Sequence, residues 1–231
     1  MVQRHSPNLT QASPTTMKHI HTLLALLLLL CPLAQTNANE QFVKEIEETR
    51  AIYLKAVNGN KRDLRKAIRH INKLSQKYPK HPLVMVYLGC SLAQRGRDIG
   101  ERPLNRMRET EEGLRHIDRG LRLLRRNQLH FLENAEAQLL AAYTFIHLPN
   151  TVFHRLKEGT YLVKQLLANP KFEEMPNGMQ AGIYFAASIV ADKHNDKDKL
   201  KHYLNLTLQT DPQGENAQKA KTKLAELGES S

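Results

Sequence analysis

From residue 40 onward, apolar positions recur three or four apart, and no stretch alternates in the two-residue period of a half-buried strand. Ala67, Ile71 and Leu74 share one helix face, and Pro79 stops that helix. Leu200, Leu204, Thr207 and Pro212 repeat the same offsets of 0, 4, 7 and 12. A looser third copy ends at Pro170, and counting back from it gives Glu158, Leu162 and Gln165. Another helical stretch and a turn precede each copy. The turns expected are Asn58-Gly59-Asn60, Arg95-Gly96-Arg97 and His194-Asn195-Asp196. Ala217, Ala220, Leu224 and Leu227 form a last apolar stripe, with Lys219, Lys221 and Lys223 mostly outward. A polar-backed helix of this kind closes the open end of a stack. The pattern predicts an all-α fold of repeated helix pairs.

Leu83-Val84-Met85-Val86-Tyr87-Leu88-Gly89, followed by Leu92 and Gly96, resembles the first helix of a tetratricopeptide repeat. That repeat is a helix–turn–helix of about 34 residues with a Leu-Gly pair and a closing proline. Pro79 and Pro82 fall in the same register, which sets four repeats at about 48–81, 82–127, 131–170 and 181–214. The second carries an extra stretch, Arg97–Glu111, between its helices, and its second helix runs Gly113–Arg126. The third has an overlong first helix with Pro149 near its end. The large aromatic that opens the repeat is missing from every copy, Met85 standing there in the second, and Arg125 replaces the second closing proline. The resemblance, to the exported bacterial type of the family, implies a right-handed α-solenoid of degenerate repeats with a C-terminal capping helix. It also implies a concave face, lined by the first helices, that takes an extended peptide or a partner helix. Tyr87 and Gln94 are the partner-contacting residues implied. Gly89 is implied to lie where the first helix comes nearest the second, the helix bearing Ile117 and Leu121.

Ahead of the helical region, Lys18, the apolar run Leu23–Leu30, Pro32 and then Thr36-Asn37-Ala38 read as a signal peptide cleaved after Ala38. The run is shorter than the roughly 20 residues of a membrane span. Met17-Lys18 is itself a suitable leader start, which would leave 1–16 untranslated. Cys31 follows Leu30 and precedes Pro32, so it lacks the small preceding residue of a lipid acceptor. The expectation is a leader at 1–38 and a periplasmic or secreted helical domain at 39–231. That domain keeps Cys90 alone, hence no internal disulfide, and a lone cysteine on an apolar face reads as buried filler.

Net charge is +11. Arg115, Arg119, Arg122 and Arg126 share a face about 150° from Leu114, Ile117, Leu121 and Leu124. They are either a solvated outer face or a cationic stripe for an acidic partner or phosphate-bearing surface. Arg97–Glu111, mixed in charge, is either an elongated turn or a functional projection. Catalytic signatures are missing: no Gly-x-Ser-x-Gly, no P-loop, no His-Glu-x-x-His. The adjacent carboxylates Glu173 and Glu174 would point apart on a helix. His147 with His154, and His194 with His202, lack the spacing of a helical metal site; Asp192, Asp196 and Asp198 lack the glycine and glutamate of a calcium loop. No enzyme activity, cofactor or metal is expected. Nucleic acid would suit the charge, but export and the lack of interleaved aromatics weigh against it. The expectation is a scaffold or adaptor holding a protein or peptide segment, an envelope or membrane-complex component in assembly or transport. The alternative is electrostatic binding of an anionic membrane or envelope surface through the basic helix face.

Overall fold

A computed structural model describes residues 40–57, 61–98, 102–126 and 129–229. The leader and the turn expected at 58–60 therefore lie outside the described residues. The chain divides into two compact units, Met1–Ala51 and Ile52–Ser231. Helical residues 40–57, here α1, pass from one to the other. In the second unit follow α2 (Lys61–Lys77), α3 (Pro82–Asp98), α4 (Pro103–Leu124), α5 (Phe131–His147), the single turn α6 (Asn150–Phe153) and α7 (Leu156–Leu167). A short 3-10 turn, Phe172–Glu174, leads to α8 (Asn177–Lys193), α9 (Lys197–Thr210) and α10 (Glu215–Glu229). There is no strand among the described residues.

Helices α2 to α10 pack chiefly on chain neighbours. The main pairs are α3 with α4, α5 with α7, and α8 with α9. Helix α3 also meets α2 and α5, α5 meets α8, and α10 packs on both α8 and α9. The sequence spacing explains the paired faces. Ala67, Ile71 and Leu74 are buried, as are Leu200, Leu204 and Thr207. The third copy needs a shift of one residue: α7 buries Gly159, Val163 and Leu166, while Glu158 and Gln165 are exposed. The chain leaves α7 at Leu167 and reaches Pro170 sooner, so counting back from the proline misplaces the face. Gly113, Ile117 and Gly120 of α4 have the same 0, 4, 7 spacing and are buried too.

Glycine sets the distance between α3 and α4. A β-carbon at Gly89 would lie 2.5 Å from the carbonyl oxygen of Gly113 and 2.7 Å from Cγ1 of Ile117. One at Gly113 would lie 2.5 Å from the backbone nitrogen of Ala93. Backbone thus meets backbone, the close approach that only a residue without a side chain permits. This is the contact expected of Gly89.

The stretch 97–111 differs from expectation. It does not project as a loop: α3 continues to Asp98 and α4 starts at Pro103, so most of the stretch is helix. Gly96 is accordingly helical and not the centre of a turn. Proline suits the first turn of a helix, where the missing N–H has no partner to lose. The Arg106 side chain donates to the Gly96 carbonyl (3.2 Å) and the Arg97 carbonyl (2.7 Å), and Arg95 pairs with Glu109 at 3.1 Å. Carbonyls left open at the end of α3 thereby gain donors.

The first helix expected at 131–170 is not overlong, since α5 has the same 17 residues as α3 and α8. Pro149 forces Leu148 into an extended conformation (φ −75°, ψ 147°) and ends α5 at His147. After α6, His154 takes a left-handed conformation (φ 53°), and Asn150 Oδ1 accepts the Leu156 N–H at 3.1 Å as α7 starts. The turn at His194-Asn195-Asp196 is present as expected. Asn195 is left-handed (φ 57°), and Asp196 caps α9 by accepting the Lys199 N–H at 3.1 Å.

Candidate functional site

Arg115, Arg119 and Arg122 are exposed along α4, as periodicity requires when Gly113, Ile117 and Gly120 face α3. Arg126 is exposed as well, but α4 stops at Leu124 and leaves it in the following turn, with its N–H on the Leu123 carbonyl. Arg108, two turns before Arg115, adds a fifth exposed cation near the same line, which Glu111 and Glu112 interrupt. The remaining acid of α4 near this line, Asp118, is taken by Arg155, at the start of α7. Arg155 also pairs with Glu158 at 2.8 Å, and its guanidinium lies 4.2 Å from the centre of the Phe145 ring. Asp118, Arg155 and Phe145 so tie α4, α7 and α5 together.

Tyr87 does not line an open surface. It is 3% exposed, its hydroxyl donates to Glu136 on α5, and its ring meets that of Tyr53 edge-on at 5.2 Å. The phenol is consumed in holding α3 to its neighbours, where a buried hydroxyl needs an acceptor. Gln94 is half-buried near the far end of the same helix. The structure therefore does not bring Tyr87, Gln94 and the arginines into one site.

A cleft of about 310 Å³ lies elsewhere, between α8 and α10. Phe185, Ser188, Ile189 and Asp192 line one wall, Lys219, Thr222, Lys223 and Glu226 the other, and Leu200 of α9 contributes as well. Each wall has the i, i+3, i+4, i+7 spacing of a single helix face. Lys223 stands 3.6 Å from Asp192 across the cleft and 3.6 Å from Glu226 on its own helix. The result is a furrow with half-buried apolar groups inside and both signs of charge on its rim. Sequence reasoning sees the α10 lysines only as outward. The usable signal is the pair Phe185 and Ile189, apolar residues one turn apart that the buried set of α8 does not include.

The thiol of Cys90 is held in its unreactive, protonated form. Cys90 is 1% exposed, with Sγ 3.5 Å from the Leu140 carbonyl, and burial pushes its thiol up to about 12. At neutral pH it is a thiol and not a nucleophilic thiolate. Labelling of Cys90 by a disulfide reagent should be slow in the native protein and at least about 100-fold faster in denaturant, followed by absorbance. Fast native labelling would show that α3 and α5 open readily at this point. Among the described residues, no group of three or more His, Cys, Asp and Glu side chains could hold a metal ion. No described helix is long and apolar enough to cross a membrane. No family model, no curated protein and no solved structure matches the chain.

Proposed function

We propose that the chain is a non-catalytic scaffold, an exported α-solenoid of degenerate tetratricopeptide-like repeats, which holds an extended segment of a protein partner between α8 and α10. The observation that carries this reading is the furrow built from two equivalent helix faces. Its apolar interior offers Phe185 and Ile189 to a partner's side chain, and its rim of Lys219, Lys223, Asp192 and Glu226 suits a segment bearing both charges. The α-solenoid reading draws support from the order of packing. Second helices α4, α7 and α9 lie on α3, α5 and α8, and these first helices meet one another in turn through α10. The partner is expected to be a component of the envelope or of a membrane complex, reached in the periplasm or outside the cell.

The test is site-specific crosslinking in the producing cell. A photoreactive residue at Thr222 should give a discrete protein adduct, and the same residue at exposed Lys157 of α7 should not. Equal adducts at both positions, or none at Thr222, would remove the furrow as the partner site.

A further inference from the structure

We infer that the solvent faces of α2 and α4 dock the protein on a bilayer surface rich in anionic phosphate headgroups. The two helices flank α3, both packing on it, and their solvent faces are separate from the furrow and do not depend on it. Helix α2, KRDLRKAIRHINKLSQK, carries seven lysines and arginines against a single acid, Asp63. Its apolar residues Leu64, Ala67, Ile68, Ile71 and Leu74 are buried, so the cations occupy the opposite side. Arg65, Arg69 and Lys73 are exposed at four-residue spacing and form no ion pair among the described residues. Arg115 and Arg119 repeat that spacing on α4, equally exposed and unpaired among the described residues. Like charges four apart on a helix repel. The free protein thus carries a repulsion that an anionic surface would relieve.

Charge alone would suit an acidic protein or a nucleic acid as well. The apolar end of α4 decides for a bilayer. Leu104 is 82% exposed and Met107 is 45% exposed, beside exposed Arg102, Arg106 and Arg108. At about 100° per residue, Leu104 falls close to the line of Arg115 and Arg122. A leucine on the same line as these arginines, which Glu111 and Glu112 interrupt, adds nothing to binding by charge but fits the boundary between headgroups and acyl chains. Neither α2 nor α4 contains a Phe, Tyr or Trp on which bases could stack. The arginine forks suit phosphate oxygens, which they bind with two parallel hydrogen bonds.

The experiment measures co-sedimentation of the purified protein with vesicles of phosphatidylglycerol and phosphatidylcholine, against vesicles of phosphatidylcholine alone. Binding should require the anionic lipid and weaken steeply with salt. Each cation near such a surface is worth roughly fivefold in partitioning. The triple variant Arg115→Gln, Arg119→Gln, Arg122→Gln should therefore lose roughly 100-fold, and Arg65→Gln, Arg69→Gln, Lys73→Gln a comparable factor. All six side chains are exposed, so the circular dichroism melt should stay that of the parent. Leu104→Ser, which leaves the charge unchanged, should lose roughly tenfold on vesicles. It should leave the binding of a soluble polyanion such as duplex RNA unaltered. Equal binding to neutral vesicles, or retention of vesicle binding by both triple variants, would overturn the inference. So would a Leu104→Ser variant that binds anionic vesicles like the parent, since the bilayer would then be only one polyanion among others.

Discussion

Gly89→Ala will destabilise the protein by about 1–2 kcal/mol, and Gly89→Leu by about 3 kcal/mol or more. Helix propensity argues the other way, favouring alanine over glycine by up to about 1 kcal/mol in a helix interior. Packing outweighs it because of what the new β-carbon meets. The nearest atom, 2.5 Å away, is the carbonyl oxygen of Gly113, and the backbone nitrogen of Ile117 lies at 2.8 Å. Backbone of a packed helix does not rotate aside as a flexible side chain would, so α3 and α4 must move apart. Gly113 and Gly120 face α3 with similar clearances, and separation at Gly89 loosens the contacts of both. Gly228 near the end of α10 supplies the control, since a β-carbon there meets nothing within 4 Å. Gly228→Ala should be neutral or stabilising by a few tenths of a kcal/mol. Urea unfolding of the three variants settles the matter. A neutral or stabilising Gly89→Ala would mean that the two helices are farther apart than described.

Phe145→Ala should cost about 3–5 kcal/mol, the range for deleting a buried ring. Phe145 is 1% exposed, and a β-carbon at Gly159 would lie 3.1 Å from its Cβ, which places the ring where α5 and α7 come together. Its outer face carries the Arg155 guanidinium, which reaches on to Asp118 of α4. Removing the ring therefore opens a cavity and takes away the platform of a partly buried cation. Phe145→Leu keeps most of the volume and should cost only about 1–2 kcal/mol. If alanine and leucine cost the same by thermal or urea unfolding, the ring is not what holds this junction.

Those two sites show how far the residues announce their packing. Gly89 was legible through the resemblance of Leu83–Gly89 to a repeat's first helix, which implies close approach at the Leu-Gly pair. The faces of α2, α9 and α10 were legible because apolar spacing is a local property. Gly96 was misleading for the same reason that Gly89 was informative. A glycine between two arginines looks like a turn, and only the approach of Arg106 and Thr110 reveals that it too is a packing contact. The helix in 97–111 was hidden because its apolar members Leu104 and Met107 face solvent, so no buried stripe marked it. Tyr87 was assigned by analogy to a first-helix surface, but Tyr53 and Glu136 cover it, and neither is near it in sequence. The furrow was out of reach for a related reason. Its walls come from helices with α9 between them, and no window along the chain contains both.

The packing of α2 to α10 on chain neighbours bears on how the chain reaches this state. Loops that join consecutive helices are short, so bringing their ends together costs little chain entropy. Native contacts of small sequence separation favour rapid folding without a long search. Most helix pairs find their surface soon after the preceding helices exist, while Tyr87 of α3 waits for Glu136 of α5. A chain delivered N-terminus first can then settle pair by pair as it emerges, with α10 closing the apolar face that α8 and α9 leave open.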